Sequence, residues 1–237
     1  LEVLSCLPLC PATTPTRPHE KTALDDWSNL TGKLQPMSNE HTDVKQHILD
    51  TGRTIILGKG FSAVGLNEIL ATACVPKGSF YHYFKSKEAF GEALVDSYMR
   101  DYLSHVDALL RPDGTPAAAR LLRYWDSWTR TSDGQTTECN CLVVKLSGEV
   151  SDMSEAMRGA LLRGTNQIIE RLGQCIAEGL DDGSLSSDFD APQMALTLYE
   201  LWLGAALLTK VRRERSAMDA AMMATLGWLK LPRQRAA

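Results

Sequence analysis

The feature that most constrains this chain is a helical hydrophobic period that runs, with clear stops, from about residue 42 to residue 231. Apolar residues recur at steps of three and four, and no segment of four to eight residues alternates as a half-buried strand would. A chain patterned this way buries its stripes only by packing helix on helix, so an all-α fold is expected. The first helix spans roughly 42–58, with Val44, Ile48, Thr51 and Ile55 on one face, and Gly60-Phe61 ends it. A short helix follows over about 65–73, with Leu66, Ile69 and Leu70 inward. A brief third helix reaches Tyr83, and Pro76 suits its first turn, where a missing N–H does no harm. Ser86 is placed to cap a long helix to Leu110, with Phe90, Leu94, Tyr98, Tyr102, Val106 and Leu109 as its stripe. Pro112-Asp113-Gly114 breaks the pattern.

A fifth helix is expected over about 116–131, and Asn140 is a good N-cap for a sixth that starts at Cys141. Ser154 caps a seventh, whose face reads Met157, Leu161, Gly164, Ile168, Leu172, Cys175 and Gly179. Asp181-Asp182-Gly183-Ser184 is read as a solvated turn before an eighth helix over about 192–213 and a ninth over about 216–231. The eighth is apolar almost all round. Met194, Leu198, Leu201, Ala205 and Leu208 form one face, and Leu196, Tyr199, Leu203 and Leu207 another. Such a helix must be covered on two sides, by its own bundle or by a partner subunit.

Composition narrows the function classes. The 237 residues carry a formal charge of -4, which argues against a surface coated with basic charge but permits a local basic patch. The most apolar run, Met194 to Thr209, includes Glu200 and is shorter than a bilayer span, so no membrane partner is expected. The first ten residues lack a basic leader region, so the six cysteines are expected as thiols in a reducing cytoplasm. Residues 1–36 hold five of the ten prolines and no hydrophobic period, and are expected to be a disordered extension.

The stretch 60–90, GFSAVGLNEILATACVPKGSFYHYFKSKEAF, concentrates the chemistry. Two short helices joined by a tight turn at Cys74-Val75 form a helix-turn-helix, whose second helix fits a DNA major groove. Between Ala71 and Lys87 stand Lys77, Lys85 and Lys87 and no acid, a local charge of +3 on an acidic chain. Phe80 and Phe84 are one helical turn apart and suit the core, which leaves Lys77, Ser79, Tyr81, His82 and Tyr83 for the outer side. Gly78 lets a backbone approach closely. This is a phosphate-clamping surface with a few groove-reading groups.

On these residues, and above all on YHYFKSKEAF, the segment resembles the DNA-binding domain of the TetR family of bacterial repressors. The resemblance implies that Lys77, Tyr81, His82, Tyr83 and Lys87 contact operator DNA, mostly at phosphates, with Gly78 and Ser79 near base edges. Two positions depart from the family pattern. Cys74 stands where glycine usually precedes the turn valine, and Gly65 stands where a hydroxyl residue often opens the second helix. The resemblance further implies a helical regulatory domain whose last two long helices join a homodimer, which suits the two-sided eighth helix and palindromic operators. The expected division is 1–36 as extension, 37–86 as helix-turn-helix domain, and 87–237 as effector-sensing and dimerisation domain.

The runs NCLVVKLSGEVSDMSEAMR and LYELWLGAALLTK are similar to the NemR group within that family, which senses electrophiles and chlorine oxidants through cysteine. The resemblance makes Cys141 the sensor and Lys210 its partner. The chemistry agrees. A thiol in the first turn of a helix feels the positive end of the dipole, which favours thiolate, and Lys145 lies one turn on. A thiolate attacks quinones, aldehydes and hypochlorous acid, and an amine or second thiol can trap its sulfenyl product reversibly. Most reduced cysteines are small buried hydrophobes, and Cys74, Cys139 and Cys175 are read that way.

Other chemistries find no support in the sequence. The run Gly52 to Gly60 has the wrong spacing for a phosphate loop, and no Ser or Thr follows Lys59. Cys139 and Cys141 lack a second ligand pair at zinc spacing, so neither a metal nor a cofactor is expected. All five histidines precede residue 106, which speaks against a helical thiol enzyme. A repressor that binds a lipophilic effector noncovalently, in a pocket lined by Trp125, Trp128, Tyr199 and Trp202, is the alternative.

Overall fold

A computed structural model of the chain describes residues 38–129, 142–185 and 189–230, and these form nine helices and no strand. The expected extension over 1–36 and the cysteines at 6, 10, 139 and 141 lie outside the described residues. In order the helices are α1 (Ser38–Lys59), α2 (Leu66–Thr72), α3 (Lys77–Tyr83), α4 (Lys87–Leu110), α5 (Ala117–Thr129), α6 (Leu142–Val150), α7 (Glu155–Asp181), α8 (Ala191–Arg212) and α9 (Ser216–Trp228). The bounds follow local chemistry. Ser86 Oγ accepts from the Ala89 N–H at the start of α4, and Ser154 Oγ does the same for Met157 in α7. Each such cap is worth about 1 kcal/mol. Pro76 is the N-cap of α3 and not part of its first turn, because its backbone is extended at ψ 149°.

Helix α1 packs on α4, α2 and α3 pack on α1, the Phe80 ring of α3 reaches Phe90, and α4 continues past them along α7. One continuous core runs through both parts. The α4 stripe is broader than its sequence suggests. Val95, Met99 and Leu103 are buried beside Phe90, Leu94 and Val106, while Tyr102 and Leu109 are only half-buried. Gly91 and Gly164 explain how close the packing is. A Cβ at Gly91 would meet Met157 Sδ and the Phe61 ring, and one at Gly164 would meet Met99. Every expected α7 face residue is buried.

The turn after α7 is not merely solvated. Asp182 accepts from the Ala117 N–H at 2.9 Å and Ser184 Oγ from the Ala118 N–H at 3.1 Å, so this turn caps α5. Arg120 is buried and donates to the Leu110 carbonyl and to Glu178, both at 2.6 Å, which ties the ends of α4, α5 and α7 together.

α8 divides its apolar surface. Ala195, Leu198, Tyr199, Trp202, Ala205 and Ala206 are buried within the chain, whereas Leu207, Leu208 and Val211 are exposed, as are Met223 and Trp228 on α9. The helix extends further than the run Met194–Thr209. At 22 residues it is long and apolar enough to cross a bilayer by length and composition alone, a property that core helices share. Between α5 and α8 the four rings fill space. Trp125 stacks on Trp202 with centroids 4.9 Å apart, and Trp128 packs edgewise on both Tyr199 and Trp202.

Candidate nucleic-acid interface

The local sequence places α3 by anchoring one side of it. Phe80 is fully buried, with ring centroids 5.1 Å from Phe84 and 5.6 Å from Phe90. Fixing that ring turns the opposite side of a seven-residue helix to solvent. Lys77, Gly78, Tyr81 and His82 are exposed, and Ser79 and Tyr83 are half-buried at its margins. Tyr81 exposes about 48% of its surface, unusual for so large a ring, and the Lys77 ammonium lies 5.8 Å from its centroid. Nothing lies within 4 Å of a Cβ built on Gly78, so the chain itself does not require glycine there.

The turn between α2 and α3 keeps the shape that glycine usually provides. Cys74 takes φ 52°, in the left-handed region, and Val75 N–H donates back to the Leu70 carbonyl at 3.1 Å. A non-glycine residue in that region costs roughly 1–2 kcal/mol. His47 of α1 helps to hold the turn, with Nε2 3.0 Å from the Ala73 carbonyl oxygen. Gly65 caps α2 by its extended backbone alone, with no side-chain bond. Lys87, in the first turn of α4, is not a loose cation. Its ammonium donates to the Phe61 carbonyl at 2.8 Å and lies 4.6 Å from the centre of the Phe61 ring.

The expected sensing residues are spread more widely. Lys210 is exposed in the last turn of α8. Lys145 points toward the other half of the molecule, where its ammonium donates to the Gly58 carbonyl at 3.4 Å. Glu149, one turn further along α6, joins it there and accepts from the backbone N–H groups of Phe61 (3.0 Å) and Ser62. Burial alone would raise the Glu149 carboxyl. The bonds from Ser62 and Phe61 and the Lys145 charge outweigh burial and hold it below the ordinary value. Sequence reasoning missed Glu149 and Phe61. On α6 the pair Lys145 and Glu149 has the spacing of a solvated surface ion pair, and no pattern in the chain signals that both reach the end of α1.

Comparison with known proteins agrees with this arrangement. Residues 48–94 match the model for bacterial regulatory proteins of the tetR family, and residues 117–225 match the tetracyclin repressor-like C-terminal domain. The HTH-type transcriptional repressor NemR of Escherichia coli (strain K12) is 40% identical over 186 residues, covering 78% of this chain and 94% of that protein. The HTH-type transcriptional repressor DhaR of a Mycobacterium species (strain GP1) is 35% identical over 178 residues, covering 75% of this chain and 88% of its own. The crystal structure of the reduced form of Escherichia coli NemR superimposes with a TM-score of 0.76 at 39% identity, over 80% of this chain and 98% of that one.

Proposed function

The chain belongs to the TetR family of bacterial regulatory proteins, a regulator and not an enzyme, and from that premise we propose that it represses transcription as a cytoplasmic homodimer on operator DNA until an electrophile or oxidant modifies Cys141. The observation that carries the DNA-binding part is the exposed basic and aromatic side of α3 opposite the buried Phe80. We divide the chain at 86/87, where Ser86 caps α4. Lys77, Tyr81, His82, Tyr83 and Lys87 clamp phosphates, and Gly78 and Ser79 approach base edges. The apolar residues that α8 and α9 leave exposed are the surface a second copy would cover, which would present two α3 helices to a palindromic site.

Support for covalent sensing is the similarity to the NemR repressors, together with the place of Cys141 in the chain. Cys141 immediately precedes α6, and α6 touches the DNA-binding half through Lys145 and Glu149. Lys210 serves as the amine that traps the oxidised sulfur. The test is Cys141→Ser. The variant keeps its affinity for a duplex selected from a random pool by the wild-type protein, and no longer releases it with a quinone or hypochlorous acid. Release equal to wild type would overturn the sensing role.

A noncovalent lipophilic effector is the second reading, and one observation favours it. Among the described residues the buried indole N–H groups of Trp125 and Trp128 have no acceptor, and a carbonyl-bearing ligand that displaced part of this ring packing would supply one. Under that reading Cys141→Ser still responds, and the ligand changes the tryptophan fluorescence.

A further inference from the structure

Three interactions meet on one residue. Phe61 lies in the connection from α1 to α2, and its N–H donates to Glu149 of α6. Its carbonyl accepts from Lys87 of α4, and its ring lies under the same ammonium. Phe61 is 2% exposed, and its ring fills the space that Gly91 leaves open on α4, beside Met157 of α7. The neighbouring N–H of Ser62 is bound by the same carboxylate, and the Gly58 carbonyl is bound by Lys145. Gly60, between them, has φ 91°, and a Cβ there would approach Glu149 Oε2 to 3.0 Å. So α6 does not merely rest on the DNA-binding half. It satisfies backbone groups at the end of α1 that have no other hydrogen-bond partner among the described residues.

We propose that Glu149 is a positioning residue for DNA binding: through the Phe61 peptide it fixes the ammonium of Lys87 against the operator backbone. This rests on the reading of Lys87 as a phosphate-binding group. A lysine side chain that is free to rotate gives up conformational entropy when it meets a phosphate, and one already held by a carbonyl and a ring gives up less. An ammonium has three donors, so the bond to Phe61 leaves two for a phosphate oxygen. Withdrawal of Glu149 when α6 shifts releases the Phe61 peptide, and Lys87 loses its fixed place. The sensing half thereby reaches one named phosphate-binding side chain by a path of two hydrogen bonds.

The experiment is a double-mutant cycle on the full-length reduced protein, with Glu149→Gln, Lys87→Ala and the pair. The probe is a duplex selected by the wild-type chain from a random pool, titrated at several salt concentrations. Glu149→Gln is expected to weaken binding about tenfold. It is also expected to lower the salt slope by about 0.9 for each phosphate that Lys87 no longer neutralises. In the Lys87→Ala background it is expected to do almost nothing further. A merely structural role would lower affinity by the same factor in both backgrounds, and that additivity would overturn the proposal. So would a Lys87→Ala variant that binds like wild type. If Glu149→Gln fails to fold, Glu149→Asp keeps the acceptor with a shorter reach and is read by the same cycle. If wild type retains no duplex even at low ionic strength, the DNA-binding function itself fails, a result distinct from additivity.

Discussion

α3 and α8 are opposite kinds of helix. α3 has seven residues, one of them buried, and most of its polar groups face solvent. α8 has 22 residues, apolar on nearly every side, and eight are buried. The first is fixed by one aromatic anchor and read by its charge. The second is fixed by everything around it. A short exposed helix therefore shows its role in its own residues, whereas the role of a buried one depends on what covers it. The same contrast holds for the two described thiols: Cys175 is buried in α7 as expected, whereas Cys74, expected as a buried hydrophobe, is exposed in the turn before α3.

The largest test of that contrast is Phe80→Ala. Removing a fully buried ring costs about 3–5 kcal/mol. The expected outcome is loss of DNA binding and early melting of α1 to α3, while the stacked Trp125 and Trp202 keep their fluorescence to a higher temperature. A single coincident transition by circular dichroism and fluorescence would mean that the two halves unfold as one unit through α4. Cys74→Gly is a smaller test. Relief of the left-handed strain at φ 52°, less the added freedom of glycine when unfolded, predicts a gain of about 1 kcal/mol in denaturant titration, with DNA affinity unchanged. A loss of stability would show that the Cys74 side chain contributes packing.

A third test concerns Cys175. Burial pushes its thiol from 9.0 up to about 11, with the Arg120 charge opposing only in part. In intact-mass labelling at pH 8 with a mild alkylating agent, Cys74 should react and Cys175 should remain unmodified. A group whose pKa is raised by folding contributes stability that is full below its unfolded value, here near 9.0. That contribution is lost as pH climbs toward 11, so alkaline titration should lower stability in that window. Labelling of Cys175 in the folded protein would show that the α7 packing opens readily.

The outward side of α3 was legible because Phe80 and Phe84 stand one helical turn apart and fix the inward side. The caps Ser86 and Ser154 were legible because an N-cap is a bond between near neighbours. Asp182 was not. It reads as one of two turn carboxylates, and only folding brings it to the N-terminus of α5, with Ala117 and Ser184 holding its carboxyl below the ordinary range.

By itself, the amino-acid sequence determined the period of every helix, the stops between them and the charge of α3, since each depends on residues within a turn or two. Tertiary structure alone decided which side of α8 the chain covers, that four aromatic rings fill space between α5 and α8, and that Glu149 and Lys87 meet across Phe61. Those meetings join positions up to 88 residues apart. No local preference encodes them; they follow from how the helices pack.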